Sequence, residues 1–120
     1  MSKQRTIKQD FTLQGKGLHT GLEIIATFKP AEVDNGIRFV RIDLEGKPEI
    51  PALAENVTAS ERGTVISKNN ASVSTIEHAM ATLFAHGIDN CTIEANAPEL
   101  PILDGSAAMY NQALIQAGIQ

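Results

Sequence analysis

Strand signals fill the first part of this chain, and apolar residues take up helical spacing only from Ile76 onward. That change of period constrains the fold more than any other feature. Ahead of it, Thr6–Phe11 and Leu22–Phe28 carry β-branched and aromatic residues and are bounded by glycines or by Pro30. Ile37–Ile42 follows the turn signal Asp34-Asn35-Gly36, its apolar residues alternating with two arginines as in a half-buried strand. Thr64–Ser67 and Ala71–Ser74 flank Lys68-Asn69-Asn70 and read as a short hairpin. Leu44–Ala59 reads as irregular, because Pro48 and Pro51 cannot donate to a central ladder.

Two helices follow. Ser74-Thr75-Ile76-Glu77 fits a capping box, with Ser74 as N-cap and Glu77 at the third helical position. Ile76, Met80, Leu83 and Phe84 keep helical spacing, and Gly87 is placed to end that helix. The second helix begins near Ser106, with an apolar stripe of Ala107, Tyr110, Leu114 and Ala117 and a stop at Gly118. Between them Asn90–Ala95 reads as a strand and Pro98–Leu103 as a loop or edge strand. This order predicts an α+β fold: a two-layer sandwich of one mixed, mostly antiparallel sheet with two helices on one face. The other sheet face then needs either cover or a polar surface, and the alternation permits both.

Composition excludes several classes of function. The chain of 120 residues suits one domain, and 42% hydrophobic with 20% charged residues is ordinary globular composition. No apolar run approaches the ~20 residues that span a bilayer, and the start MSKQRTIKQDF lacks the apolar core of a secretory signal. A single cysteine, Cys91, allows neither an internal disulfide nor a thiolate zinc cluster, and a cytoplasmic location is expected. The net charge of −4 argues against a nucleic-acid footprint, and one Tyr, four Phe and no Trp make a poor base-stacking platform.

Three segments can carry chemistry. Glu77 and His78 are adjacent, about 100° apart around the helix axis, so a carboxylate and an imidazole can converge on one small volume. A helix N-terminus favours an ionised glutamate and a neutral histidine, the states needed of a general base and a metal ligand. Glu77 is also where a capping box places Glu for structural reasons alone. Ser74 and Thr82 lie four residues from His78, and His86 is two turns away, roughly 12 Å along the axis, so the usual helical zinc motif is not met. The second segment, Gly15–Gly21, has three glycines and places Lys16 and His19 at its tip. It reads as a plain glycine hairpin or as a donor loop for an anionic or sugar ligand. The third, Asn96–Ser106, holds two prolines and Asp104. Asp104 either caps the following helix or orients a histidine from behind. Arg62-Gly63-Thr64 reads as a turn entering a strand, Cys91 as a core thiol and His86 as a cation at a helix end.

Taken in order, Arg5-Thr6-Ile7-Lys8, Gly15-x-Gly17-Leu18-His19-Thr20-Gly21, Ser74-Thr75-Ile76-Glu77-His78, Gly87-Ile88-Asp89-Asn90 and Asn96-Ala97-Pro98-Glu99-x-Pro101-Ile102-x-Asp104-Gly105-Ser106 closely resemble the zinc-dependent UDP-3-O-acyl-N-acetylglucosamine deacetylases of lipid A biosynthesis. The likeness runs over essentially the whole chain. It implies two domains of similar α+β build with their helices sandwiched between the sheets, of which this chain is the first and ends at Gln120. It implies His78 as a zinc ligand, Glu77 as general base for the attacking water, His19 as a substrate-handling residue lining the site, and Asp104 as a supporting residue. The remaining zinc ligands, a His and an Asp of a His-x-x-x-Asp motif, belong to the second domain, as do further groups that stabilise the intermediate and a passage for the acyl chain. By this reading the substrate is a UDP-linked acylated amino sugar, the reaction is hydrolysis of its 2-acetamido group, and the isolated chain binds zinc weakly or not at all and is inactive. Glu61-Arg62-Gly63 departs from relatives that carry apolar residues and cysteines there. The competing expectation is a non-catalytic binding module in which Glu77 is only a helix cap.

Overall fold

The structure, a computed structural model, describes residues 4–17, 20–60, 63–68, 71–103 and 108–120. Strands β1 (Phe11–Lys16), β2 (Glu23–Pro30), β3 (Ile37–Arg41), β4 (Glu49–Pro51) and β8 (Cys91–Ala95) form one sheet, in the order β1-β2-β8-β3-β4. Strands β5 (Val57–Ser60), β6 (Gly63–Lys68) and β7 (Ala71–Ser74) form a second, smaller antiparallel sheet. The helices are α1 (Glu77–Ala85) and α2 (Ala108–Ala117). The large sheet is mixed: β8 runs antiparallel to β2 and parallel to β3, while its other pairings are antiparallel. The expected α+β class and mixed sheet are present, with the small sheet as an addition.

The strand pattern explains which face is buried. In β2, Ile24, Ala26 and Phe28 are buried, and in β8 Cys91, Ile93 and Ala95 are, as period-two alternation requires. Registration lines up Phe11, Phe28, Ile93, Phe39 and Ile50 as one apolar row across all five strands. Phe11 stacks on Phe28 at 4.5 Å, and Tyr110 of α2 meets Phe28 edge-on at 6.0 Å. Leu83 of α1, Leu114 of α2 and Ile66 and Val73 of the small sheet join the same core. The opposite face is polar: the Thr12 and Thr27 hydroxyls pair at 3.3 Å, Gln14 donates to Glu23 at 3.2 Å, and Lys29 pairs with Glu94 at 3.2 Å. That face needs no cover.

Element boundaries depart from the sequence reading in informative places. Thr6–Phe11 is not a strand: Thr6 bridges Asn90 and Ile7 bridges Ile119, so this segment is threaded between two others, and the strand runs from Phe11 to Lys16. Gly15 and Lys16 belong to that strand rather than to a loop. Within the segment read as irregular, Glu49–Pro51 forms an edge strand, where Pro51 is tolerated, and Val57–Ser60 a further one. Gly87, at φ 67°, does end α1, with the Ile88 N–H on the Leu83 carbonyl and the Gly87 N–H on that of Phe84. Tyr110, Leu114 and Ala117 are the buried stripe of α2. No helix among the described residues is long and apolar enough to cross a membrane.

The two sheets are tied by Arg41. Its guanidinium is buried, donates to both Asp43 carboxylate oxygens at 2.8 and 2.7 Å, and reaches the Ser72 carbonyl on β7 at 2.9 Å. Hydrogen bonding from Arg41 holds the Asp43 carboxyl below its ordinary 3.8, against the opposing effect of burial. With the folded value depressed, the stabilisation is complete above the unfolded pKa of about 3.9 and is lost as pH falls through the lower folded value. Asp43→Asn should therefore cost about 1 kcal/mol at pH 7, modest because Asp43 is partly exposed. Urea unfolding at pH 7 and at about pH 3 should show that gap shrinking in acid; a gap independent of pH would rule the pair out as its cause.

Candidate active site

The segment carrying Glu77 and His78 starts on a strand and ends on a helix within three residues. Ser74, the last residue of β7, donates its N–H to the Pro98 carbonyl at 2.9 Å and accepts the Leu100 N–H at 3.1 Å. A parallel bridge thus pairs Ser74 with Glu99. Thr75 then takes φ 60°, a left-handed conformation that a β-branched residue adopts only under strain. It is buried, and its hydroxyl finds no hydrogen-bond partner among the described residues. The helix begins at Glu77.

This geometry overturns the capping box. The N-cap position is Ile76 and no side chain caps the helix. Ser74 is still in the strand, where its hydroxyl is also turned to the Pro98 carbonyl at 3.2 Å. Glu77 is the first helical residue, and its carboxylate reaches across to the small sheet, where Oε2 accepts the Thr64 N–H of β6 at 3.0 Å. Its other oxygen, Oε1, is buried and accepts no hydrogen bond among the described residues. Burial acts to raise the Glu77 carboxyl pKa. Its own backbone N–H, the N–H and hydroxyl of Thr64 and the charge of His78 outweigh that and hold it below 4.5, so it is ionised at neutral pH.

His78 is half-buried beside it. Its carbonyl accepts the Thr82 hydroxyl at 2.8 Å, while its imidazole makes no hydrogen bond among the described residues. Among the described residues no group of three His, Cys, Asp or Glu side chains could hold a metal ion; Glu77 and His78 stand side by side on the first turn of α1. His19, Asp104 and Arg62 lie outside the described residues. Lys16 is an exposed strand residue. His86 closes α1 and its Nε2 meets Asn111 Oδ1 of α2, a link between helices. Cys91 is a core thiol that burial pushes up to about 12.

Glu99 was not singled out from sequence, and it joins the segments. It is 1% exposed, and its carboxylate accepts the Thr20 N–H at 2.7 Å across 79 residues of chain. Two prolines flanking an acidic residue inside an otherwise apolar stretch were the available signal. The same loop covers the end of β1, with the Ile102 N–H on the Lys16 carbonyl at 3.1 Å and Leu103 against Gly15. Tyr110 donates to the Pro101 carbonyl at 2.7 Å; burial, and next the charge of Glu77, raise its pKa.

Fold and geometry together define an α+β sandwich in which a glycine turn meets a proline-rich loop on the buried Glu99 carboxylate, and that loop bridges the strand leading into the elbow that carries Glu77 and His78. Residues 4–120 match the family described as UDP-3-O-acyl N-acetylglycosamine deacetylase, and the chain belongs to that family. It is 57% identical over 120 residues to a bifunctional LpxC/FabZ enzyme of Bacteroides thetaiotaomicron, covering all of this chain and 26% of that protein. It is 48% identical over 118 residues to the UDP-3-O-acyl-N-acetylglucosamine deacetylase of Geotalea uraniireducens, and 44% identical over 120 to that of Teredinibacter turnerae. Those alignments cover 98% and 100% of this chain, and 38% and 40% of the relatives. The chain thus spans between about a quarter and two fifths of the relatives it matches.

The strained elbow yields a test. Thr75→Gly removes a left-handed penalty of roughly 1–2 kcal/mol and a buried unsatisfied hydroxyl, against about 1 kcal/mol of added chain entropy and the lost methyl contacts. Denaturant unfolding should show stability unchanged or raised by about 1 kcal/mol. A loss above roughly 2 kcal/mol would mean that the side chain, not the backbone, holds the elbow.

Proposed function

We propose that this chain is the first of two α+β domains of a cytoplasmic, zinc-dependent amidohydrolase that removes the acetyl group from UDP-3-O-acyl-N-acetylglucosamine in lipid A biosynthesis. Family membership and relatives of that name support the reaction class. The observation that carries the reading is the Glu77 carboxylate, ionised and next to His78, with Oε2 occupied by Thr64 and Oε1 buried and unpaired among the described residues.

The donor set fits part of a catalytic zinc site, which takes three protein ligands and keeps one position open. His78 would be one ligand, its imidazole uncommitted to any hydrogen bond among the described residues. The other two would be the His and Asp of a His-x-x-x-Asp motif in the second domain. Zinc, when bound there, polarises the amide carbonyl and lowers the pKa of water. Glu77 takes the proton of the attacking water on Oε1, while the Thr64 N–H fixes the direction in which that oxygen points. By the resemblance to the family, His19 would handle substrate and Asp104 would be a supporting residue. The helix layer suits a second domain laid over it: Phe84 of α1 is 87% exposed and Ile115 of α2 is 60% exposed, and a groove between the helices is lined by Ala81, Thr82, Ala85, Ala108 and Asn111. The isolated chain binds zinc weakly or not at all and does not turn over.

In the complete protein, Glu77→Ala should lower kcat/KM for acetate release by about 100- to 10,000-fold with zinc content unchanged. Chelation should abolish wild-type activity. Near wild-type turnover by Glu77→Ala would remove Glu77 from the chemistry, and turnover by the 120-residue chain alone would remove the second domain from it.

A further inference from the structure

We propose that Glu99 is a positioning residue that registers Gly17 and Thr20 against the elbow carrying Glu77 and His78, and so governs substrate affinity. The role rests on the reading of Glu77 and His78 given above. A carboxylate is almost never buried this deeply without partners that use its charge, and this one is 1% exposed. Its side chain accepts the Thr20 N–H at 2.7 Å, a charge-assisted length, while its backbone is bridged to Ser74, the last residue before the elbow. One residue therefore spans the turn and the elbow.

The turn is shaped around that carboxylate. A Cβ on Gly17 would lie 2.5 Å from Glu99 Oε2 and 2.7 Å from Cδ, closer than real contacts allow. Gly17 has no left-handed φ, so its glycine identity answers to the carboxylate and the nearby Thr20 hydroxyl rather than to the backbone. The rest of the turn is closed by Gly17 N–H on the Leu22 carbonyl at 2.9 Å and Gly21 N–H on the Gly17 carbonyl at 3.1 Å. His19, to which the proposed function gives substrate handling, follows Gly17 by two positions in the sequence and directly precedes Thr20. Glu99 itself does no chemistry. It sets where the turn stands.

The test uses the complete protein, with deacetylation kinetics, zinc content and thermal unfolding measured together. Glu99→Ala and Gly17→Ala, which disturb the contact from opposite sides, should each raise KM about tenfold with kcat changed less than about threefold and zinc content unchanged. Glu99→Gln keeps an oxygen acceptor for the Thr20 N–H and should hold KM within about threefold of wild type. The double variant of Glu99→Ala and Gly17→Ala should be no worse than either single one, since both remove one contact. An unchanged KM in Gly17→Ala, or a loss confined to kcat and to zinc content, overturns the positioning role while leaving the Glu77 reading intact. A wild-type complete protein without deacetylase activity removes that reading, and the role of Glu99 falls with it.

Discussion

The fold depends on the insertion of β8 between β2 and β3. Those two strands are consecutive in the chain yet do not pair; the gap between them is filled by residues that follow by some fifty positions, after the small sheet and α1. Without β8 the large sheet is two separate hairpins, β1-β2 and β3-β4, each with an unsatisfied inner edge and half of an apolar row. Ile93 completes that row between Phe28 and Phe39, and the burial of its neighbours Cys91 and Ala95 follows. Closure over such sequence separation is entropically costly and slow, so the core has to repay it in apolar contact.

The same insertion places the functional segments. The chain leaves the end of β8 at Ala95 and runs at once into the proline-rich loop, whose backbone bridges Ser74 and whose Asn96 side chain accepts the Ile25 N–H at 2.9 Å. Loop and elbow are therefore held to the sheet through the strand that closes it. The small sheet enters from the other side: Thr64 on β6 supplies the N–H that orients Glu77, and Arg41 ties β3 to β7. The small sheet thus orients the first residue of α1 directly, while the large sheet holds the strand that leads into it.

Much of this was legible from periodicity. The strand at Ile37–Arg41, the antiparallel pairing of β6 with β7, and the stripe of Tyr110, Leu114 and Ala117 all report local geometry, which neighbours in sequence determine. The burial of Arg41, by contrast, breaks the expected alternation because its guanidinium has Asp43 and Ser72 to bond. The capping box was misread because its two residues have better offers: Ser74 bonds to Pro98 and Glu77 to Thr64, partners 24 and 13 residues away that no local pattern encodes. Gly15 looks like a turn residue in the sequence, yet it lies in β1 with Pro101 and Leu103 packed over it, so the strand runs later than its composition suggests. Glu99 was passed over for the same reason as Ser74: its meaning lies in a contact 79 residues distant. The adjacency of Glu77 and His78 needed no structure at all, and their ordered surroundings pointed to the family.

The bond from Thr64 to Glu77 has an evolutionary consequence. A helix side chain whose direction is set by a backbone donor on another sheet inherits the sequence history of that sheet. Substitutions in β5 and β6 that shift the Thr64 backbone by a fraction of an ångström re-aim the Glu77 carboxylate without altering it. Relatives that keep Glu-His while changing the strand ahead of Thr64 are then expected to show epistasis between the two segments, each tolerating substitutions only in the background of its own partner.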